Sequence, residues 1–574
     1  MDNASLARVF SDIGDLLEIK GANPFKIRAY RNAADIIGHM AERVADLTET
    51  DVLGIPGIGK DLAAKIRELV DTGELVYFDA LRQEFPASIL EMLRLQGVGP
   101  KTVGLLYAEL GIETLEELEA AASDGRLRQL KGMGAKKEQL LLRSLAEHRS
   151  RVGRHLVGRA DAIATRLTEY LRMEAPEATI FPVGSLRRGK ETCGDIDLLA
   201  VNATDALMSH FTRFPDVERI LGQGPTKSSV LLRGGVQVDL RVVAAESAGA
   251  AAQYFTGSKA HNIAVRDIAL RRGLKLNEYG LFRVADGEYV AGATESDVYE
   301  ALGLAYVPPE LREHRGEIEA AAMRNLPHLV ERSDLRGDLH SHTTATDGKA
   351  DVETMATAAR DAGLEYLAIT DHSQALAMAN GLDERRALAH AAHIREVNAR
   401  LEGITLFAGI ECDIRADGTL DLADDCLAEL DLVVASVHSA FGQGEQQMTD
   451  RLLRAIESPF VDIIGHPTGR LLLRRDPYPF NLEQVLDAAA RCGVAMEINS
   501  QIHRLDLSDS HARLARDRGV KLVISTDAHA PAAFELLRWG VTVARRAWLE
   551  PGDVLNTLGA EDVRASLRRH RVTG

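Results

Sequence analysis

The feature that most constrains the fold is a series of short apolar runs in residues 335–574, most of which end in histidine, aspartate or glutamate. Seven such runs predict β-strands, and helical patterns such as "VETMATAARDAG" separate them. The runs are "LRGDLHSH", "EYLAITDH", "TLFAGIEC", "LDLVVASVH", "VDIIGHP", "VAMEINS" and "KLVISTDAH". Strands and helices that alternate over about 240 residues predict a parallel barrel.

Six of the seven predicted strands finish in residues that can bind a metal ion. The candidate ligands are His340, His342, Asp347, His372, Glu411, His438, His466, Asp527 and His529. Because the carboxyl ends of barrel strands line one rim, these side chains should meet there. A mixture of imidazoles and carboxylates suits Zn²⁺, Mn²⁺ or Fe²⁺. Arg415, Arg470 and Arg504 also follow strand ends and are candidate phosphate contacts.

A second acidic pattern lies in residues 151–249, where the runs "ATIFPVGS", "DIDLLAV", "SSVLLRGG" and "VQVDLRVV" predict strands of an α/β unit. Asp195 and Asp197 are two apart in one strand and therefore face the same side. Asp239 on another strand can complete the cluster, and three carboxylates can hold two Mg²⁺ ions. Candidate hydrogen-bond donors to a phosphate stand just upstream, at Gly184, Ser185, Arg187 and Arg188.

Residues 1–150 are predicted to be helical, and three glycine-containing segments recur there. They are "IPGIGKDLAAKI", "LQGVGPKTVGLL" and "LKGMGAKKEQLL", each a Gly-x-Gly turn followed by a helix. Backbone N–H groups at such a helix start can bind a phosphate, provided that no Cβ blocks the approach. The turn glycines are Gly57, Gly59, Gly97, Gly99, Gly132 and Gly134.

Composition sets broader limits. A chain of 574 residues exceeds one hydrophobic core, so three or more domains are expected. No run of eighteen apolar residues predicts a membrane span, and the acidic, amphipathic first residues predict no export. Four scattered cysteines, Cys193, Cys412, Cys426 and Cys492, suit a reducing cytoplasm. The formal net charge of −17 does not exclude DNA binding, because a basic groove is a local feature.

The motifs "GSLRRGKETCGDIDLL", "VDLR" and "YFTGS" resemble DNA polymerase family X, the polymerase β family, over about residues 1–315. The resemblance implies a nucleotidyltransferase palm with a thumb, two Mg²⁺ ions, and DNA and dNTPs as substrates. It implies that Asp195, Asp197 and Asp239 bind the metals and that Asp239 accepts the proton of the primer 3′-OH. The further nucleotide-binding residues that it implies are Gly184, Ser185, Arg188, Gly194, Tyr254, Phe255, Gly257, Asn262 and Arg266.

Two positions depart from the polymerase β pattern. Gln237 stands where that pattern has an arginine beside the third aspartate, and Lys259 replaces an acid near the incoming base. The resemblance otherwise assigns Ser185, Arg188 and Gly194 to the triphosphate. It places Tyr254 and Phe255 at the sugar, Asn262 at the minor-groove edge of the base, and Arg266 at the template.

The three glycine turns resemble helix-hairpin-helix motifs, which imply a sequence-independent grip on DNA phosphates. Lys65 matches the lysine that the polymerase β family uses to excise a 5′-deoxyribose phosphate, with Lys26 and Tyr30 beside the same pocket. Asp61 stands four residues before Lys65, and an ion pair at that spacing favours the charged amine. A nucleophilic amine must be neutral, so we expect weak lyase activity.

The C-terminal pattern D-L-H-x-H, T-D-H-S, G-x-E, V-H-S, G-H-P and S-T-D-A-H resembles the polymerase-and-histidinol-phosphatase (PHP) domain over residues 335–574. It implies a distorted seven-stranded barrel that holds up to three ions, with Mn²⁺ or Zn²⁺ expected. One ion would be held by His340, His342, Glu411 and Asp527; a second by Glu411, His438 and His466; and a third by Asp347, His372 and His529.

The sequence therefore predicts a multidomain protein. Residues 1–80 form a helical DNA-end or lyase-like domain, and 81–150 a second helical DNA-binding domain. Residues 151–249 form the palm, 250–315 the thumb, 316–334 a linker, and 335–574 the PHP barrel.

The expected function is filling of short gaps in base-excision repair, with 3′-5′ exonuclease or other 3′-end processing, including abasic-site cleavage, in the barrel. Gapped or primer-template DNA and dNTPs are the expected partners, with room for other repair proteins, at the bacterial nucleoid in the cytoplasm. Two alternatives stay open. The barrel would be a small-molecule phosphatase that the front half tethers to DNA, or the chain would be a non-catalytic DNA-end scaffold.

Overall fold

The computed structural model describes residues 3–39, 44–55, 57–86, 88–93, 95, 98–130, 132–135, 137–142, 145, 153–203 and 206–567. The chain forms two compact units, 1–152 and 153–574. No helix in the described ranges is both long enough and apolar enough to cross a lipid bilayer.

The first unit is built of helices around one apolar core. Its helices are Asn3–Ile19, Pro24–His39, Glu49–Gly54, Lys60–Thr72, Val76–Arg82, Ile89–Met92, Pro100–Leu110 and Leu115–Ser123, and residues 137–142 are also helical. Leu6, Phe10 and Ile13 recur at helical spacing on the first helix and are fully buried in that core. The predicted helical N-terminal region is confirmed.

The second unit begins with an α/β layer. Its strands are β1 (His155–Leu156), β2 (Thr179–Pro182), β3 (Thr192–Cys193), β4 (Asp195–Val201), β5 (Val217–Gln223), β6 (Lys227–Leu232) and β7 (Gln237–Val243). Five of them form a sheet in the order β2-β4-β7-β6-β5, in which β4 and β7 run parallel. Its helices are Val157–Glu174, Gly184–Arg187 and Ala206–Phe211. The sequence did not predict β5, since this edge strand is almost wholly exposed and lacks apolar alternation.

A thumb follows the sheet. It contains helices Ala248–Thr256, Lys259–Arg271 and Glu295–Ala301, with strands β8 (Leu274–Asn277), β9 (Gly280–Arg283) and β10 (Tyr289–Ala291). Helix Glu317–Ala322 lies in the predicted linker, but its apolar residues extend the thumb core. The three strands form an antiparallel sheet that the sequence did not predict. Trp548, from the far end of the chain, belongs to the same hydrophobic cluster as Val265, Leu311 and Ile318.

The seven predicted barrel strands are all present. They are β11 (Gly337–Asp338), β12 (Tyr366–Ile369), β13 (Thr405–Asp413), β14 (Leu432–Ser436), β15 (Ile463–Ile464), β16 (Ala495–Asn499) and β17 (Leu522–Ser525). They pair in chain order and in parallel, and a bridge between Ser341 and Ala528 joins the first strand to the last. The sheet is therefore a nearly closed barrel, as predicted.

Helices surround the barrel. They are Val352–Asp361, Glu384–Asn398, Asp424–Ala428, Glu445–Glu457, Leu482–Cys492, Asp509–Asp517, Leu537–Arg546 and Ala560–Ser566. The apolar cores of the palm sheet and the barrel form one continuous cluster, which contains Leu198 of the palm and Ile524 of the barrel. Palm and barrel are thus packed directly against each other.

Candidate active sites

The first candidate site is the acidic cluster on the palm sheet. The parallel register of β4 and β7 sets Asp197 directly beside Asp239, and Asp195 lies two residues before Asp197 on the same face. Gly184 lies directly against Asp197 and has a φ of 64°. A Cβ at Gly184 would collide with the Asp197 carboxylate, so only glycine permits this approach.

The electrostatics of this cluster suit a divalent cation. Burial raises the pKa of Asp197 to about 6, and the charges of Asp195 and Asp239 add to the effect. Burial would also raise the pKa of Asp239, but hydrogen bonds from Lys227, Gln237 and Ser229 outweigh it and lower that pKa. The Lys227 Nζ lies 2.8 Å from the Asp239 carboxylate, a contact that sequence reasoning missed.

The two neighbouring arginines of the turn at residues 184–188 have different hydrogen-bond partners. Arg187 forms an ion pair with Glu295, with 2.5 Å between Nη2 and Oε2. Arg188 donates from Nε to Glu313 at 3.1 Å and from Nη1 to the carbonyl of Thr256. Ser185 is half-buried at the start of this turn. Both arginines are therefore held by acceptors of the thumb region, Arg187 by Glu295 and Arg188 by Glu313 and Thr256.

Gly194 stands at the far end of the same loop. Arg154, which sequence reasoning missed, hydrogen-bonds Thr192 from Nε at 2.8 Å, and its Nη1 would lie 3.9 Å from a Cβ at Gly194. Arg154 directly precedes β1, and the pairing of β1 with β3 brings it beside Thr192 and Gly194. Because this pairing is not visible in the sequence, only the structure identifies Arg154 as a further candidate phosphate contact.

The thumb residues expected at the sugar and base lie next to one another. The rings of Tyr254 and Phe255 meet edge to face with centroids 5.1 Å apart, and Arg241 stacks over Phe255 at 4.2 Å. The Asn262 amide donates to the Tyr254 carbonyl at 2.7 Å. Arg266 is exposed, as is Lys259.

Gly257 of the thumb lies close to the turn at residues 184–188. Its φ is 72°, and a Cβ there would lie 3.2 Å from the Arg188 Nη1 atom. The turn at residues 184–188 thus lies against the acidic cluster at Gly184 and against the thumb at Arg188.

In the first unit, Lys65 and Lys26 both lie close to the ring of Tyr77. Their Nζ atoms are 5.2 Å and 4.9 Å from the centroid of the Tyr77 ring, which stacks on Tyr30. Burial raises the pKa of Tyr30. Lys65 forms an ion pair with Asp61, one helical turn before it. The structure thus places an acid beside the candidate lyase lysine, as the spacing predicted.

The described glycine turns leave open space at the starts of their helices. Gly59 and Gly99 are the residues that precede helices Lys60–Thr72 and Pro100–Leu110. A Cβ at Gly59, Gly99, Gly132 or Gly134 would meet no atom within 4 Å. Gly57 has a φ of 94° and packs against Ile36. Gly97 lies outside the described residues.

The second candidate site lies at one rim of the barrel and is centred on Glu411 of β13. Both carboxylate oxygens of Glu411 face imidazoles, and the residue is fully buried. The ring nitrogens nearest to it belong to His372 at 2.7 Å, His466 at 3.0 Å, His438 at 3.4 Å, His340 at 3.5 Å and His342 at 3.6 Å. Five imidazoles predicted from four separate strand ends therefore converge on the carboxylate of a fifth strand.

Two more carboxylates extend this cluster. Asp527 Oδ1 lies 3.2 Å from the Nε2 atom of His342. Asp347 bridges His372 at 3.5 Å and His529 at 3.4 Å. All nine predicted barrel ligands are thus brought together.

The closest sets of ligand atoms in the described residues overlap. These sets are His342 with Asp347, His372 and His529; His340 with His342 and Asp527; and His372 with Glu411 and His438. His342 and His372 each belong to two of them, whereas the sequence pattern assigned each histidine to one ion.

This donor set fits metal ions. The Nε2 atoms of His340 and His342 are buried and have no hydrogen-bond partner in the described part of the chain. Carboxylate oxygens of Glu411 and Asp527 nevertheless stand 3.2–3.8 Å from them. Burial would raise the pKa of Glu411, but His438, His340 and His372 hold that pKa well below its usual range. Orphaned nitrogens that face ionised carboxylates are the pattern of metal ligands.

Sequence reasoning missed the carboxylates behind the histidines. Glu497 of β16 accepts from His340 Nδ1 at 2.7 Å and from the His466 backbone at 2.5 Å. Asp413 lies 3.4 Å from His438 Nδ1. The sixth predicted strand ended in no ligand, and Glu497 inside it was the available signal. These groups orient the imidazoles that face the site.

The three arginines after strand ends separate in the structure. Arg504 Nε lies 3.9 Å from Asp527 Oδ2, at the metal-ligand cluster. Arg415 donates to the Asp421 carbonyl at 3.1 Å. Arg470 forms a two-pronged ion pair with Glu191 of the palm. The structure engages Arg470 with the palm, so it is no longer a free candidate for a DNA phosphate.

Family models match five parts of the chain. They are the helix-hairpin-helix domain at residues 1–75, the SAM-like helix-hairpin-helix tandem at 89–147, the DNA polymerase beta palm at 151–221, the DNA polymerase beta thumb at 251–313 and the PHP domain at 338–501.

Curated relatives fall into two kinds. The chain is 37% identical over 573 residues to the "DNA polymerase/3'-5' exonuclease PolX" of Bacillus subtilis (strain 168), covering 99% of this chain and 100% of that protein. A "Probable phosphatase" of Shewanella sediminis is 35% identical over 209 residues, or 35% of this chain and 79% of that protein. A "Probable phosphatase" of Thermoanaerobacter sp. is 30% identical over 233 residues, or 38% of this chain and 89% of that protein.

Proposed function

The chain belongs to the family X DNA polymerases that carry a C-terminal PHP domain, and on that premise we propose that it fills short DNA gaps and trims 3′ ends. The observation that carries this proposal is the presence of two separate ligand clusters in one unit, the palm carboxylates and the barrel rim. Divalent ions bound there would make an attacking oxygen nucleophilic and neutralise phosphate charge. Mg²⁺ is proposed for the all-carboxylate palm, and Mn²⁺ or Zn²⁺ for the imidazole-rich barrel.

In the palm, each group acts on a different part of the reactants. Asp195, Asp197 and Asp239 would hold the metals, and Asp239 would also take the proton of the primer 3′-OH. Ser185, Arg188 and Gly194 bind the triphosphate. Support comes from the shared face of the carboxylates and from the close approach of Gly184, in the turn that also carries Ser185 and Arg188, to Asp197. Tyr254 and Phe255 flank the sugar, while Gly184, Gly257, Asn262 and Arg266 complete the nucleotide site.

In the barrel, the strand-end histidines and acids would hold metal ions, which would supply Lewis-acid chemistry for phosphodiester cleavage. Glu497 and Asp413 hold the imidazoles in one orientation through their Nδ1 atoms. Arg504, beside Asp527, can neutralise a phosphate oxygen of the DNA end. The barrel would thereby remove mispaired or blocked 3′ ends and cleave at abasic sites.

The first unit supplies the grip on DNA. The open helix starts at Gly59, Gly99 and Gly134 can bind phosphates without reading sequence. We therefore place the protein on gapped or primer-template DNA in base-excision repair, in the cytoplasm at the nucleoid. A preference for short gaps over open primer-template should shrink when residues 1–80 are removed.

For Lys65 we propose weak lyase activity, because its amine is engaged in an ion pair with the Asp61 carboxylate and is not free to attack. Borohydride trapping on 5′-incised abasic DNA tests this. Efficient trapping that disappears in Lys65→Ala would show that Asp61 does not suppress the lysine.

The deciding experiment is a primer-extension gel with Mg²⁺ or Mn²⁺, run with and without dNTPs. We expect longer products with dNTPs and shortened primers without them. Single-stranded DNA and histidinol phosphate, compared as substrates, separate this function from a small-molecule phosphatase. The full-length match to the polymerase relative disfavours that alternative, since the two phosphatases match only 35% and 38% of this chain.

A further inference from the structure

The loop that carries the nucleotide-binding candidates of the palm rests on the barrel. This loop, residues 184–195, begins with the turn that carries Ser185 and Arg188 and ends at Asp195, the first residue of β4. At its middle, Glu191 accepts from both terminal nitrogens of Arg470, at 2.5 Å and 3.2 Å. Both side chains are largely buried, with 23% and 11% of their surface exposed. A two-pronged pair of this kind fixes orientation as well as distance.

A second barrel arginine reaches the same loop. Arg546, the last residue of helix Leu537–Arg546, is buried, with 1% of its side chain exposed. It donates to the backbone carbonyl of Arg188 at 2.6 Å and pairs with Asp509 at 2.8 Å. It also donates to Glu313 at 3.2 Å, and Glu313 in turn accepts from the Arg188 side chain at 3.1 Å. Arg546 therefore holds both the backbone of Arg188 and the carboxylate that orients its guanidinium.

The loop also packs closely against the barrel at Gly189. Gly189, with a φ of 65°, lies so close to Thr542 that a Cβ at Gly189 would collide with it. Thr542 lies on the same helix as Arg546, one turn earlier. The loop is thus bound at Arg188, Gly189 and Glu191 to two different parts of the barrel.

We propose that the barrel positions the nucleotide-binding loop of the palm, and that Arg470 and Arg546 are positioning residues for nucleotide addition. This inference rests on the proposed polymerase function. Neither arginine touches the three palm carboxylates in any contact of the structure. Their effect should therefore fall on nucleotide binding, while the barrel reaction proceeds at its own site. Small displacements of a binding group are costly, because the bound geometry must match the reacting one.

The test is steady-state extension on gapped DNA by the full chain, with KM for the dNTP and kcat measured separately. For Glu191→Gln and Arg546→Met we expect KM for the dNTP to rise about tenfold, with a smaller change in kcat. Exonuclease on single-stranded DNA should stay within about twofold for Glu191→Gln. Thermal unfolding reports whether each variant folds, and Glu191→Gln, a half-buried change, carries the test if Arg546→Met does not fold.

Arg538→Met is the matched control. Arg538 pairs with Asp161 of the palm at 2.8 Å, so it crosses the same junction without touching the loop. Its KM for the dNTP should equal that of the unaltered protein. Glu191→Gln combined with Arg470→Met should raise KM no further than either change alone, because the two residues act as one contact.

The outcomes are separable. Unchanged KM in Glu191→Gln and in folded Arg546→Met would overturn the inference, as would an equal rise in Arg538→Met. If the unaltered protein did not extend primers, the proposed function would fail and this inference with it.

Discussion

At the residue scale, the third palm carboxylate is supported differently from the polymerase β pattern. Gln237 replaces the arginine beside Asp239, and Lys227 of the adjacent strand β6 supplies a cation to the same carboxylate. The register that sets Ser229 opposite Asp239 brings Lys227 within reach. The charge lost at one position of the strand is thus provided by the neighbouring strand.

Lys227→Met should therefore slow nucleotide addition. The lysine is 43% exposed, so its ion pair is worth only about 1 kcal/mol, which corresponds to a fall in kcat of about fivefold. Single-turnover extension measures the change. Lys227→Arg keeps the charge and should retain most of the rate. An equal loss in both variants would mean that the charge on residue 227 is irrelevant.

Glu497 offers the corresponding test in the barrel. Glu497→Gln weakens the acceptor that orients His340, and removal of such supporting groups typically lowers metal affinity or activity by about 10–100-fold. We expect that loss in 3′-5′ degradation, with primer extension unchanged. Titration of the metal-stripped protein with Mn²⁺ should show weaker binding. Full degradation at limiting Mn²⁺ would contradict the role given to Glu497.

At the element scale, the glycine turns are helix starts without side chains. Gly59 has an extended backbone, with φ −86° and ψ 171°, so an L-residue is tolerated there. Gly59→Asp should leave the fold intact, because aspartate is a favoured residue before a helix. The added charge should weaken binding to gapped DNA by about tenfold, since phosphate contacts dominate such binding.

Fluorescence anisotropy at two salt concentrations measures this loss. Gly54→Asp is the control, because it adds the same charge in open space outside the turn. If both variants bound DNA equally well, the turn at Gly59 would not be a phosphate site.

Elements differ in how far the sequence predicts them. The barrel strands were predictable because strands buried on both faces are continuous apolar runs, as in Leu432–Ser436. Strand β5 was not, since an exposed edge strand carries no such pattern. Metal ligands at strand ends were visible as motifs. The roles of Glu497 and Lys227 could not be predicted in the same way. Their partners, His340 and Asp239, lie on or just after other strands, and the sequence does not reveal the register between strands.

At the scale of the whole molecule, the two ligand clusters should work independently in chemistry. Asp197→Ala removes a carboxylate from the palm cluster, so extension should vanish while 3′-5′ degradation persists. His342→Ala, which takes an imidazole from two of the barrel sets, should have the reverse effect. Both activities are read on one gel, and circular dichroism checks folding. Loss of both activities in either folded variant would contradict two separate sites.

The position of Trp548 has a consequence for how the protein is made. This residue belongs to the thumb core together with Val265 and Ile318, although it follows Ile318 by about 230 residues. On a ribosome that adds about 5–20 residues each second, the thumb waits on the order of 10–50 s for its last core side chain. A nascent chain that stalls within the barrel would carry an unfinished thumb, so polymerase-competent molecules arise only after translation has passed Trp548.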